Sequence, residues 1–509
     1  MKKWVNTVFK EIYRRRMKRI ERFMVHPIET QEKLFVRLLS SGKRTKFGKK
    51  YDLSSVKSLQ QFANRIPVQS YDSLKPYIDR MMLGEWDVLW PGQVSWFSKS
   101  SGTTSGRSKF IPVSHENLKE CHIKGTWDTM TMFYNQRDDA RMFECKSLLM
   151  GGSLSPFSGN KEAMVGDVSA IMINHMPMVA RPFFTPDFET ALMDNFEQKI
   201  ERIAQITARE PDMVMIGGVP TWTLVLFRRI LEITGANHML EVWPNLQGYI
   251  HGGVSLIPHR AQFEHMLPGK QVSYQEIYNA SEGYFAIQDD FSSDDMLLLL
   301  ENGIFYEFLA QEEWHKENPK ATHLADVELG KTYALVISTN AGLWRYTPGD
   351  TVEFTSKYPF RIKIKGRTTQ FVNAFGEEVI LANTDNALAV TCSATDAIVS
   401  EYTVAPIYFN EGKKGGHEWV VEFEKQPRNL NQFNRLLDQN LQRINSDYEA
   451  KRYKGMALEQ LRLHPVPEGT FHRWLRAKGK YGGQNKVPRL SNDRKYVEDI
   501  LGFVEGVEY

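Results

Sequence analysis

Apolar and polar residues alternate along this chain in two rhythms, and the change from one to the other divides it. Residues Met1 to Met24 place Val5, Phe9, Ile12, Tyr13, Ile20 and Phe23 at helical spacing among many basic residues. From Pro27 to about Asp87 the pattern stays helical, clearest in Gln31-Glu32-Lys33-Leu34-Phe35-Val36-Arg37-Leu38-Leu39. Ser114 is placed to cap a helix that continues from Asn117 to about Tyr134. Lys146 to Met150, Ala170 to Ile173 and Met213 to Ile216 are short apolar runs with the look of buried strands. Helical stretches separate them, such as Phe188 to Thr207. Strand–helix alternation of this kind predicts an α/β layered domain.

From Met296 the texture changes to short strands and tight turns. Leu297 to Leu300 and Ile304 to Phe308 flank Glu301-Asn302-Gly303, which predicts a hairpin with Asn-Gly in its turn. Tyr333 to Ser338 and Leu343 to Tyr346 repeat the theme, and Pro348-Gly349-Asp350 makes another turn before Val352. A β-rich subdomain is expected, ending near Arg367. Beyond it, Glu401 to Phe409, Trp419 to Phe423 and Leu461 to Pro465 read as strands. Leu430 to about Ala450 reads as one long amphipathic helix, and Thr470 as the cap of a helix reaching Lys478. The expected boundary separates a large domain over 1–370 from a small α+β domain over 371–509.

One polar run stands out against this background. Ser100-Ser101-Gly102-Thr103-Thr104-Ser105-Gly106 leads to Lys109, with Trp96-Phe97 before it and Phe110-Ile111-Pro112 after it. Hydroxyls, two glycines and a lysine between buried strands suit a loop that closes its backbone N–H groups on phosphate. It is not a Walker A loop, because no Gly-Lys-Ser/Thr follows the required gap. Two later glycine pairs end predicted strands. Val219 and Trp222 follow Gly217-Gly218, and His251 precedes Gly252-Gly253. Strand ends are where open α/β sheets bind ligands, so these three residues are candidates to line a substrate pocket. The competing reading packs Trp222 and His251 in the core.

Length and charge narrow the class. A chain of 509 residues predicts two or three domains, and a formal net charge of +3 predicts no nucleic-acid partner. The basic segment Arg14-Arg15-Arg16, Lys18-Arg19 fits an acidic surface in principle, but a helix docked by its apolar face explains it better. Cys121, Cys145 and Cys392 are scattered, which excludes a disulfide framework and fits a cytoplasmic protein. No apolar run is long enough to span a bilayer.

Three motifs in order, Ser100 to Gly106, Tyr278-Asn279-Ala280-Ser281-Glu282 and Tyr346-Thr347-Pro348-Gly349-Asp350, resemble those of the adenylate-forming ligases. Within that superfamily the chain resembles the plant auxin-responsive acyl-acid amido synthetases, the Gretchen-Hagen-type family, in the manner of a compact bacterial member. Gly366-Arg367 and Lys486-Val487-Pro488-Arg489 extend the resemblance to nearly the whole chain. The resemblance implies a large α/β domain with a small mobile C-terminal domain. It implies ATP phosphates held by Ser100, Ser101, Gly102, Thr103, Thr104, Ser105, Gly106 and Lys109. Asn279, Ala280 and Ser281 would border the adenine and α-phosphate, Glu282 would ligate Mg²⁺, Asp350 would accept from the ribose hydroxyls, and Arg367 would support the nucleotide. Lys486 would reach the reacting phosphate. The reaction implied joins a carboxylic acid to an amine, an amino acid foremost, through an acyl adenylate. An acyl-CoA ligase and a non-catalytic nucleotide-binding regulatory protein are the alternatives. Plant members carry Ala-Ser-Ser-Glu and Tyr-Arg-Val-Gly-Asp at the second and third motifs, so the ATP chemistry carries over further than the acid or the acceptor.

Overall fold

The computed structural model describes residues 2–100, 109–253, 256, 260–314, 316–368, 371–408, 414–453, 457–478 and 487–505. The chain divides into two compact units. The first comprises Met1–Ser100, Phe110–Gly253 and Phe263–Thr368, and the second Ser101–Lys109, Val254–Gln262 and Thr369–Tyr509.

A twelve-stranded sheet organises the first unit. At one end Phe184–Thr185, Lys146–Leu148, Met213–Gly218, Gly248–His251 and Ser273–Ala280 lie side by side and parallel. From Ser273–Ala280 onward every neighbour is antiparallel, through Gly283–Ile287, Met296–Leu298, Phe360–Arg367, Asp350–Lys357, Thr332–Thr339, Ile304–Ala310 and Thr322–His323. Strands such as Gly283–Ile287 and Ile304–Ala310 are buried along their whole length, which is why they are largely apolar without alternation, Glu307 being the one charged residue in the two. The expected β-rich subdomain is thus the antiparallel half of one continuous sheet. A second sheet of four strands carries Trp96–Ser100 between Lys109–Val113 and Asn160–Gly166.

The expected Asn-Gly hairpin does not form. Gly303 does take the left-handed conformation, with φ +74, but Met296–Leu298 pairs with Gly283–Ile287 and Phe360–Arg367, whereas Ile304–Ala310 pairs with Thr332–Thr339. Side chains satisfy the turn's backbone instead. Gln31 donates to the carbonyls of Leu300 and Ile304 and accepts from the Tyr306 N–H, and Lys124 Nζ donates to the Glu301 carbonyl. Ala170 to Ile173 belongs to the helix Val168–Asn174, not to a strand; four apolar residues carry too little periodicity to tell the two apart. The stretch Phe188 to Thr207 is two helices, because Asn195 accepts from the Gln198 N–H and starts a new one.

The first helix, α1 (Lys2–Val25), is docked by Tyr13, Met17, Ile20 and Phe23, all buried, while Arg14 and Arg15 stay in water. Burying such side chains stabilises by about 1.5–3 kcal/mol each, which holds a helix whose charges alone would not. Phe9 stacks on Phe143 at 3.7 Å between ring centroids. Helix α2 (Pro27–Gly42) follows after a single residue and packs Leu34, Phe35 and Leu38 into the same core.

The second unit is a three-stranded mixed sheet. Ile398–Ile407 runs antiparallel to Gly416–Lys425, which runs parallel to Arg462–Val466. The long helix expected from Leu430 breaks into Leu430–Ile444 and Ser446–Arg452 at Asn445, which caps the second by accepting from the Tyr448 N–H. The break turns Tyr448 and Arg452 back onto the buried Asp438, which accepts from the Tyr448 hydroxyl at 2.7 Å and from Nε and Nη2 of Arg452. The helix Thr470–Ala477 is capped by Gly469 and not by Thr470. Gly469 sits at φ +77, and the Thr470 hydroxyl donates to the Pro467 carbonyl.

Candidate active site

The second and third sequence motifs meet where the large sheet changes from parallel to antiparallel. Ser273–Ala280 runs through Tyr278, Asn279 and Ala280, so the turn to Gly283 is only Ser281-Glu282. A tight turn at the C-terminal end of the last parallel strand is the position from which open α/β sheets bind ligands.

Ser98 donates to or accepts from Ser281 across 3.0 Å between hydroxyls, and Ser281 also lies 3.5 Å from the Lys99 carbonyl. This brings the strand that leads into the first motif against the second. Two tyrosines then tie the second motif to the third. The Tyr278 hydroxyl donates to Asp350 Oδ2 at 2.6 Å, and the Tyr346 hydroxyl donates to Glu282 Oε1 at 3.2 Å. Burial first, then Asp350 and Glu282, push the Tyr278 hydroxyl well above its ordinary pKa, and burial followed by Glu282 does the same to Tyr346. Both therefore remain proton donors at neutral pH. Gly349 supplies the turn before Asp350 with φ +92, and Asp350 pairs in register with Arg367 on the neighbouring strand. Arg367 Nε lies 3.3 Å from Asp350 Oδ1 while Nη2 donates to the Pro348 carbonyl at 2.7 Å.

Ser100 ends its strand half-buried, and Lys109 begins the next, also half-buried. Ser101, Gly102, Thr103, Thr104, Ser105 and Gly106 lie outside the described residues, as does Lys486. On the parallel strands His251 pairs in register with Gly218 on one side and Glu276 on the other. Val219 begins the turn after Gly218, and a Cβ placed on Gly253 would lie 3.4 Å from its Cγ2. Val219 and His251 therefore share one end of the sheet, with Trp222 half-buried in the helix Pro220–Thr234 that starts there.

Residues without an assigned role in the sequence reading complete the arrangement. Tyr278, Tyr346 and Ser98 stood inside or beside the motifs, but their hydroxyl contacts depend on partners far away in the chain. His122 is fully buried in the helix that follows Ser114, beside Asn279. Neither its ring nitrogens nor Asn279 Oδ1 meets an aligned hydrogen-bond partner. Burial pushes the His122 imidazole down to about 4, and the Asn279 carboxamide opposes this only in part. Glu276, between Tyr274 and Tyr278 on one face of its strand, is pushed up to about 7 by burial and by Asp294. A glutamate at the third position of an alternating Tyr-x-Glu-x-Tyr strand was the available signal.

No group of three or more metal-ligating side chains occurs among the described residues. Glu282, 6% exposed and held by a hydroxyl, is a single carboxylate. That donor set suits Mg²⁺ in a nucleotide site, which takes one or two carboxylates and completes its shell with phosphate oxygens and water.

The sequence matches the GH3 family N-terminal domain over residues 16–272, the GH3 central domain over 297–367 and the GH3 C-terminal domain over 382–495. The chain belongs to the GH3 family. Among its GH3 relatives, indole-3-acetic acid-amido synthetase GH3.3 of Arabidopsis thaliana is 24% identical over 535 residues, covering 90% of this chain and 88% of the relative. Jasmonoyl-L-amino acid synthetase JAR4 of Nicotiana attenuata is 23% identical over 521 residues, covering 87% of each. The structure of the GH3.15 acyl acid amido synthetase in complex with 2,4-DB superposes with a TM-score of 0.62 at 16% identity over 96% of this chain and 95% of that one. A 2-hydroxyisobutyryl-CoA ligase in complex with 2-HIB-AMP and CoA gives 0.58 at 14% identity over 94% and 93%. These likenesses establish a fold common to GH3 proteins and an adenylate-forming CoA ligase.

Proposed function

We propose that this GH3 protein is an ATP-dependent acyl-acid amido synthetase. A carboxylate oxygen of a small organic acid attacks the α-phosphorus of ATP, the bond to the β-phosphate oxygen breaks, and pyrophosphate leaves. An amino acid then attacks the acyl carbon of the acyl adenylate. The C–N bond forms, the C–O bond to AMP breaks, and the amine loses a proton. The observation that carries this reading is the crossed pair of contacts Tyr278–Asp350 and Tyr346–Glu282, which holds two carboxylates at a strand end in a chain of the GH3 family.

In this reading Asp350 receives the ribose hydroxyls, with Tyr278 and Arg367 fixing its two oxygens. Asn279, Ala280 and Ser281 lie along the adenine and α-phosphate, and Ser98 holds Ser281 in place. Residues 100–106 and Lys109 donate to the phosphates. Glu282 would hold Mg²⁺, which when bound neutralises charge growing on the departing pyrophosphate. Lys486 donates to the α-phosphoryl oxygens, and the domain over 371–509 closes over an intermediate that water would otherwise hydrolyse. Val219, Trp222 and His251 line the space for the acid. The three cysteines are free, two of them buried, as suits a cytoplasmic enzyme. Among the described residues no helix is long and apolar enough to cross a membrane.

The test is ATP–pyrophosphate exchange against a panel of aromatic, fatty and jasmonate-like acids, followed by addition of amino acids or coenzyme A. Acid-dependent exchange and an amide product are expected, with exchange lost in Lys486→Ala. A thioester as the sole product would overturn the amide assignment, and bound ATP without exchange on any acid would favour a non-catalytic protein.

A further inference from the structure

Helices α1 and α2 and the helix Lys124–Gln136 border a cavity of about 500 Å³ that the reaction above does not use. Its wall is rich in cations: Arg19 and Arg22 from α1, Lys33 and Arg37 from α2, and Lys124. Only two carboxylates, Glu29 and Glu301, share it, and both are engaged. Glu29 is paired with Lys33. Glu301 lies 3.2 Å from Lys124 and is also paired with Arg16, which is itself bound to the buried Asp128 at 2.7 Å.

Removing these pairs from the count leaves Arg19, Arg22 and Arg37. Among the described residues none of the three has a carboxylate within ion-pair distance, although Arg22 acts on Glu29 through space. Three uncompensated guanidinium groups therefore face one cavity in a chain whose charges otherwise nearly balance, at +3 over 509 residues. Guanidinium forks match phosphate oxygens two at a time, and each placed beside another like charge is stabilised only by water or by an anion. Phe23 and Leu34, both buried, close the floor, so the cavity offers an apolar base beneath a cationic rim. Its volume lies within the range that accommodates a small organic ligand.

We infer that this cleft binds a small organic molecule carrying two or more phosphate groups, supplied either as a soluble phosphorylated metabolite or as the headgroup of a phosphorylated lipid. Arg19, Arg22 and Arg37 clasp the phosphates, Lys124 lies deeper, and Phe23 and Leu34 meet the carbon skeleton between them.

The test uses the full chain and two probes. Fructose 1,6-bisphosphate is titrated in a calorimeter, and vesicles of one part phosphatidylinositol 4,5-bisphosphate to nine of phosphatidylcholine are used in cosedimentation. Binding of the first alone identifies a soluble ligand, and binding of the vesicles identifies a lipid headgroup. Either interaction weakens as salt rises from about 50 to about 300 mM. The triple variant Arg19→Gln/Arg22→Gln/Arg37→Gln binds about 30-fold more weakly, a few-fold per exposed arginine, and keeps acid-dependent pyrophosphate exchange, which also reports that it is folded. Arg22→Glu alone lowers affinity by reversing one charge, in case the triple variant folds poorly. Failure of both probes to bind the wild-type chain, or equal binding by wild type and variants, overturns the assignment.

Discussion

Replacing His122 with glutamine measures how dry the interior beside Asn279 is. The imidazole is completely buried in a segment, Leu118–Ile123, where the helix widens, and burial lowers its pKa from 6.5 to about 4. In the unfolded chain the ring takes up a proton near 6.5, whereas the folded protein refuses it until about 4. The folded state binds fewer protons in that window, so the stability that His122 permits is whole above pH 6.5 and is lost as pH falls toward 4. At 1.36 kcal/mol per decade, the interval from 6.5 to about 4 corresponds to about 3 kcal/mol. Glutamine has no such titration. Native-state hydrogen exchange of the Lys124–Gln136 helix, at several pH values between 7 and 4, reads the stability of this region in both proteins. The advantage of wild type over His122→Gln is expected to shrink by about 3 kcal/mol across the window. A difference that stays constant with pH would mean that the ring is hydrated or protonated in the folded state, and the argument from burial would fail.

Glu276→Gln acts with the opposite sign: the carboxyl, raised to about 7, binds its proton more tightly folded than unfolded, so wild type loses stability as pH rises from 4.5 through 7, and the variant should gain on it by about 2 kcal/mol between pH 5 and 8 in urea unfolding. An unchanged gap would show that Glu276 is ionised and solvated. Tyr278→Phe removes the 2.6 Å bond to Asp350; KM for ATP in pyrophosphate exchange should rise about tenfold with kcat changed only a few-fold, and an unaltered KM would separate Asp350 from nucleotide binding. Arg345→Met strands Glu307, its bidentate buried partner at 2.9 and 3.0 Å, and breaks bonds to the Ala63 and Ile66 carbonyls; a loss of about 3–5 kcal/mol is expected, partly restored by adding Glu307→Gln. A single variant as stable as the double would refute the pairing.

What could be read from the chain were features written locally. The amphipathic spacing of α1, the Ser114 cap, the apolar strands on either side of the Ser/Thr/Gly run and the glycine at Gly349 each follow from residues within a few positions of one another. The structure departs from those patterns where a distant residue decides, and where a local polar side chain interrupts an apolar rhythm. Asn302-Gly303 has the composition of a hairpin turn, yet Gln31, some 270 positions earlier, takes up the carbonyls of Leu300 and Ile304 and frees the two strands to pair elsewhere. Asn195 and Asn445 divide helices whose apolar periodicity runs on past them, because a side-chain oxygen placed to accept from the third N–H onward starts a helix as readily as it ends one.

The candidate site divides along the same line. Glu282 and Asp350 stand out within short motifs, but a motif does not state what holds its carboxylate. Tyr278 and Tyr346 are each one member of the other motif's support: the tyrosine that begins the second motif donates to the aspartate that ends the third, and the tyrosine that begins the third donates to the glutamate that ends the second. Neither bond can exist until Ser273–Ala280 and the segment leading to Asp350 are brought together by the antiparallel half of the sheet. The exchange makes the two carboxylates interdependent, since loosening either tyrosine also shifts the strand end that carries the opposite acid. A Tyr278→Phe/Tyr346→Phe double variant should therefore lose less ATP affinity than the two single losses combined, because each single change already removes part of the other's support; strictly additive losses would show that the two contacts are independent.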